Sequence, residues 1–337
     1  QDAQAAHDPR GFGGIQNLKD WGLLRDAMET LGLESPFFRT HEGRAGAQTV
    51  IAGRELINFG SYDYIGLNGD ARLHAAAAGA MARYGISASA SRLVSGERPV
   101  HAALEAALAA HYGADAALAF VSGHATNVTL IGHLMGPRDA IVHDAAIHNS
   151  AVEGARLSGA RRASFAHNDL AAAERELKAA RGRGGGAQRV LLVVEGHYSM
   201  DGDVPDLTGF VRLARQHDAW LMVDDAHGLG VVGQTGKGAF EAAGIDPSDV
   251  DIWMGTLSKT LCACGGYVAA KAELIDWLRH TAPGFVYSVG LPPALAASAH
   301  AALEILQAEP WRVAKLQANA RRLRDACRAR GFDTGQS

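Results

Sequence analysis

The stretch GTLSKTLCACGGYVAA, residues 255–270, sets a single lysine between two apolar runs. Ile252-Trp253-Met254 leads in and Gly266-Tyr267-Val268-Ala269-Ala270 leads out. Both are short and uncharged, as strands covered on both faces are. The residues between them are small or hydroxylated. Lys259 therefore belongs to a tight turn beyond the end of a buried strand. Partial desolvation there lowers an amine's pKa and suits it to act as a nucleophile or imine former.

Similar apolar runs recur at 116–121, 140–143, 190–195 and 220–224. Helical periodicity separates them: 18–31, 101–112 just after Pro99, 169–181 with Asn168 as its N-cap, 208–217 and 293–307. Strand, helix, strand at this spacing predicts an α/β fold, a mainly parallel sheet sandwiched by helices with right-handed crossovers. RGRGGGAQ, residues 181–188, reads as a surface loop.

The 337 residues are 47% hydrophobic and 20% charged, with a net charge of -4. No broad basic field invites nucleic acid or an anionic membrane, and no apolar run reaches the roughly 18 residues of a spanning helix. A soluble, cytoplasmic protein is expected. Cys262, Cys264 and Cys327 are too few for a disulfide framework. The C-x-C pair lacks further ligands at zinc spacing, so no metal is expected and both thiols read as small and buried.

In such sheets the chemistry gathers beyond the C-terminal strand ends. Five ends in succession carry polar or titratable groups: Ser122-Gly123-His124, Asp144 with His148, Glu195 with Ser199, Asp224 with His227, and Thr256 with Lys259. Asp224 closes WLMVD, where a carboxylate needs a cationic or hydrogen-bonding partner; capping the next helix is the plainer reading of it. Pyridoxal 5′-phosphate asks a protein for a lysine, a carboxylate for its ring nitrogen, a platform for the ring face and donors for its phosphate. Lys259, Asp224, His148 and Ser122-Gly123-His124 with Thr256 meet those needs. A Ser-Gly turn opening a helix is a natural anion site.

The motifs SYDYIGL, GISASASRLVSG, SGHATN, EGHYSMDGD, VDDAHGLGVVG and GTLSK…GGY, in register from about residue 42 to 293, resemble the α-oxoamine synthase family, fold-type I pyridoxal phosphate enzymes. The resemblance implies a homodimer and a decarboxylative Claisen condensation of glycine, alanine or serine with an acyl thioester, giving an α-aminoketone. It assigns Lys259 the covalent bond to the cofactor and Asp224 the ring nitrogen. His227 and Ser199 fall to the phenolic oxygen and His148 to the ring face. Gly123, His124 and Thr256 fall to the phosphate. Ser288, in YSVGLPP, is the one hydroxyl left apart from the Tyr287 phenol where relatives hold phosphate across the dimer. Two readings stand beside it: an aldolase- or transaminase-like member of the same fold, and a non-catalytic partner subunit of a serine palmitoyltransferase-like complex.

The departures are specific. Tyr62 stands where many members place Asn, and His124 where an aromatic residue is usual. SPFFRTHEG, residues 35–43, resembles synthase domains embedded in polyketide synthases, which implies an acyl carrier protein as donor. The expected layout is an N-terminal linker and helical segment (1–55), a large cofactor-binding domain (56–295) and the start of a small C-terminal domain (296–337). The arginine that relatives use for the substrate carboxylate has no counterpart assignable here. With no initial Met and a polar lead, the chain reads as a domain cut from a larger enzyme; a free-standing, coenzyme A-dependent synthase with a trimmed terminus is the alternative.

Overall fold

The computed structural model describes residues 10–182 and 186–337. Residues 1–9 of the expected linker and 183–185 of the glycine loop lie outside them. The chain divides into two compact units between Phe59 and Gly60. The first contains α1 (Gln16–Thr30) and an antiparallel hairpin of β1 (Gln48–Ile51) and β2 (Arg54–Ile57).

In the second unit, α2 (Ala71–Tyr84) and α3 (Pro99–His111) precede β3 (Ala116–Phe120), α4 (Gly123–Leu134), β4 (Ala140–Asp144), α5 (Asn149–Leu157) and β5 (Arg161–Phe165). Then come α6 (Leu170–Ala180), β6 (Val190–Glu195), α7 (Leu207–Gln216), β7 (Trp220–Asp224), α8 (Ala239–Ala243), β8 (Ile252–Thr256) and β9 (Gly266–Ala270). The unit ends with α9 (Ala272–Thr281), α10 (Pro283–Val286), α11 (Pro293–Ala308) and α12 (Trp311–Arg328). Residues 296–337 therefore continue this unit through α11, which packs on α2 and α3, and α12.

Seven strands form one sheet in the order β3-β9-β8-β7-β6-β4-β5. The ladders from β5 to β8 are parallel; β9 runs antiparallel to both β8 and β3. The reason lies in the 257–265 connection, which is too short for the helical crossover a parallel neighbour requires. The lysine turn is thus the loop of a β8–β9 hairpin. β6 is buried along its whole length, with Leu192 and Val194 in one core cluster and Leu191 and Val193 in the other. Period-two alternation sends successive side chains into helical layers on opposite faces, which is why the run shows no polar face.

Several expectations need correction. Asn168 does not cap α6; the Asp169 side chain accepts from the Ala172 N–H. Asn168 instead takes a positive φ of 54°, donating its amide to Asp144 and its side-chain amide to Asp203. Cys262 is half-buried and Cys264 exposed, so the pair is not two buried thiols. β5, with an exposed edge pattern, and α2, α5 and α9 went unread, because their apolar signal is broken by small and polar residues. Among the described residues no helix is long and apolar enough to cross a membrane.

One buried charge cluster joins distant elements. Arg92, in a π-turn at Arg92–Gly96, pairs with Glu97 at 2.7 Å and Glu105 at 2.6 Å. Glu105 also accepts from Arg279 at 2.9 Å and from the Ala119 N–H at 2.8 Å. Removing Arg92 leaves the buried Glu105 with only Arg279 and the Ala119 N–H, and Glu97 without its partner. Arg92→Met should therefore cost about 3–5 kcal/mol of stability in denaturant unfolding. Arg72→Ala, at an exposed ion pair with Asp70, should shift the midpoint far less.

Candidate active site

The C-terminal ends of β3, β4, β6, β7 and β8 converge on a cavity of about 510 Å³. Ser122, Gly123, His124, His148, Ser199, Asp224, His227, Thr256 and Lys259 all line it. Antiparallel β9 contributes its opposite end, so Cys264 and Gly265 reach the same rim. Ser288 is not brought there; it borders a small separate pocket and donates to the Val289 carbonyl at 3.2 Å.

Asp224 is 4% exposed and caps no helix. Its Oδ2 accepts from Asn127 Nδ2 at 2.7 Å and its Oδ1 from the Ala226 N–H at 3.1 Å. Asn127 lies on the inner face of α4 and also donates to Ser150 Oγ at 2.9 Å. The neighbouring Asp225 is engaged elsewhere, by the Tyr112 hydroxyl at 3.1 Å and the Ala239 N–H. Of the two acids in VDDAHG, only the first lines the cavity.

Burial lowers the Lys259 pKa, against an opposing pull from Asp224 and Glu195. Its Nζ lies 5.9 Å from the centre of the Tyr62 ring. His227 is pushed down to about 3, first by burial and then by Lys259, His197 and His148, so it is neutral at physiological pH. Its Nδ1 is 3.0 Å from the Tyr64 hydroxyl, whose own pKa burial raises to about 12. His148 caps α5: its Nδ1 accepts the Ser150 N–H at 3.2 Å, which leaves the ring proton on Nε2. Burial lowers its pKa, and Asp224 pulls the other way.

Ser122 caps α4, its Oγ accepting from the Ala125 N–H at 3.3 Å. The Gly123 and His124 amides have no hydrogen-bond partner among the described residues. They open the first turn of a twelve-residue helix, a standing anion site. Thr256 Oγ1 donates to the Gly265 carbonyl at 3.0 Å and lies 2.7 Å from Ser258 Oγ. Two glycines keep this corner open. A Cβ on Gly123 would meet Thr256 Oγ1 at 2.9 Å, and one on Gly265, where φ is +137°, would meet the Phe120 carbonyl at 2.5 Å. An amine of lowered pKa, a doubly bonded carboxylate, two neutral imidazoles and free helix amides form the donor set a pyridoxal phosphate needs.

Sequence reasoning missed Asn127, Ser150, Ser258 and Tyr64 as members of this constellation, and named Glu195 at its strand end without giving it a role. Asn127 closes the quoted SGHATN, so helical spacing from Ser122 could have found it. Tyr64 reaches His227 across 163 positions and carries no local signal.

The family model described as aminotransferase class I and II matches residues 54–337. The 8-amino-7-oxononanoate synthase of Geobacter sulfurreducens is 42% identical over 324 residues, covering 96% of this chain and 79% of that protein. The serine palmitoyltransferase of Bacteroides ovatus is 39% identical over 322 residues, covering 93% of this chain and 80% of its own. Among solved structures, the serine palmitoyltransferase of Sphingomonas wittichii superposes with a TM-score of 0.89 at 32% identity, covering 96% of this chain and 81% of that one.

The depressed His227 has a measurable consequence. Between its ordinary 6.5 and about 3, the unfolded chain binds a proton there that the folded chain refuses. This residue therefore subtracts stability as pH falls below 6.5, by about 1.4 kcal/mol per pH unit. His227→Asn should flatten the acid limb of a stability-versus-pH curve relative to wild type. Parallel curves would show that the imidazole titrates freely.

Proposed function

The chain belongs to the aminotransferase class I and II family, in its α-oxoamine synthase branch, and we propose that it condenses a small amino acid with an acyl thioester, using pyridoxal 5′-phosphate and releasing carbon dioxide. The product is an α-aminoketone. The observation that carries this reading is the meeting of Lys259, hydrogen-bonded Asp224 and the free α4 amides in one cavity.

Bound pyridoxal phosphate supplies an aldehyde that an amine captures and a ring that takes up the electron pair released at the amino acid's α-carbon. The remaining work belongs to the chain. Lys259 Nζ, whose charged form burial disfavours, is the amine that bonds the cofactor and exchanges protons with substrate. Asp224, fixed by Asn127 and Ala226, holds a proton on the ring nitrogen by its negative charge. With the Tyr64 hydroxyl as donor at Nδ1, His227 would offer its Nε2–H, and Ser199 offers a hydroxyl. His148, steadied by Ser150, presents an imidazole as the ring platform. Gly123, His124 and Thr256 take the phosphate, with Ser258 as a further hydroxyl.

The test is direct. Cofactor-loaded protein, reduced with borohydride and mapped by peptides, should carry its pyridoxyl label on Lys259. The same preparation, given glycine, alanine or serine with an acyl thioester, should yield an α-aminoketone by mass spectrometry. Lys259→Ala should lose both signals. A label elsewhere, or transamination without carbon dioxide, would end the proposal.

The same reading extends to a cytoplasmic homodimer, with Ser288 serving the partner's phosphate, and to an acyl group delivered on a carrier protein. The carrier rests on the SPFFRTHEG and SYDYIGL stretches, which are similar to synthase domains within polyketide synthases. One acyl group should be offered on coenzyme A and on a phosphopantetheinylated carrier protein to a preparation sized by light scattering. A dimer with a tenfold kcat/KM preference for the carrier, about 1.4 kcal/mol, is expected. Equal use of coenzyme A removes the carrier, and a fully loaded monomer removes the dimer.

A further inference from the structure

Glu195 is a second carboxyl in the cavity, paired directly with Asp224 in the parallel β6–β7 ladder and only 2% exposed. The two acids differ in what reaches them. Both Asp224 oxygens accept a hydrogen bond, one of them a short one from an amide side chain. Glu195 Oε2 accepts only the Ser199 N–H, at 3.3 Å, and Oε1 is buried with no hydrogen-bond partner. The His148 amide approaches Glu195 without completing a hydrogen bond.

Charge balance points the same way. Lys259 is the one lysine or arginine among the residues lining the cavity, while His148 and His227 are held neutral. One cation, itself of lowered pKa, cannot compensate two adjacent buried carboxylates. The surroundings choose which acid stays charged. Asp224 has the donors, and Glu195 has a bare oxygen that can carry a proton at no loss of bonding.

We propose that Glu195 is held as a neutral carboxylic acid with its proton on the buried Oε1, so that the cavity offers one carboxylate, Asp224, and beside it an uncharged acid whose O–H turns to an oxygen of the bound ligand. Two like acids thereby take different roles through environment alone. The groups facing Glu195 are Asp224 from β7, Lys259 from the β8–β9 loop, the His148 amide at the start of α5, and Tyr198 and the Ser199 amide on its own turn. Burial, reinforced by Asp224, raises the Glu195 pKa to about 8. The donor role rests on the proposed function; the protonation does not.

Infrared difference spectroscopy reads it. Spectra of the full chain, wild type minus E195Q, would be taken from mildly acidic to alkaline pH, with and without pyridoxal 5′-phosphate. At neutral pH the wild type should show the carbonyl stretch of a protonated acid that E195Q lacks. The band should give way to carboxylate stretches only well above the ordinary carboxyl range in the cofactor-free protein. D225N is the control, since Asp225, fully buried, is likewise raised to about 8 and contributes its own band. With cofactor bound, the Glu195 band should shift to lower frequency as its O–H finds an acceptor. A carboxylate signature for Glu195 at neutral pH overturns the inference. So does an E195Q chain that fails to fold, because glutamine reproduces the charge and nearly the shape of the neutral acid. An unshifted band on loading overturns the donor role. An ionised Glu195 in an active synthase would sink this inference alone, and a protonated one in a chain without condensation activity would sink the function alone.

Discussion

A carboxylate kept buried at the tip of β7 is the constraint on which the site depends. Asp224 has almost no access to water, and an ionised acid there survives only with donors on its oxygens. Asn127 supplies the strongest, from α4, and that requirement ties the helix to the sheet at one height. The same helix carries the free Gly123 and His124 amides on its first turn. One hydrogen bond therefore sets the distance between the buried carboxylate and the free amides of the helix turn. Ser150, which accepts from the same Asn127 and fixes the His148 ring, extends the registration to α5.

The β8–β9 hairpin is the second device. A loop this short cannot cross the sheet, so it turns back and holds Lys259 over the strand ends rather than in solvent. Gly265 allows the return path: its positive φ and the close Phe120 carbonyl leave no room for a side chain. Thr256 bonds to the Gly265 carbonyl and closes the loop at its base. The lysine is thus anchored from both sides while its amine stays within the cavity, where desolvation keeps it reactive.

The polar groups beneath the loops have a different task. His167 bridges Asp144 and Asp203 at 2.8 and 3.0 Å, and Asn168 joins both acids. Burial lowers the His167 pKa, but the two carboxylates outweigh it and raise it overall. A ring that meets a carboxylate at each nitrogen is satisfied only as a double donor. This clip ties the loop that carries Ser199 to the end of β4.

The sequence by itself determined six of the nine described strands, the α/β class, and the five strand ends where chemistry would gather, because buried strands are continuous apolar runs and their termini are where polar residues first become tolerable. It also singled out Lys259 and Asp224, each the odd residue in an otherwise apolar or small-residue setting. It misplaced the α6 cap and overlooked β5, where local propensity is weak and a partner elsewhere decides. Only the tertiary structure decided that Asn127 holds Asp224, that Tyr64 meets His227, and that Glu195 lies beside Asp224. Those facts rest on ladder register and on contacts between residues tens to more than a hundred positions apart. Such contacts form only when the sheet has assembled, so no local pattern of residue types can encode them.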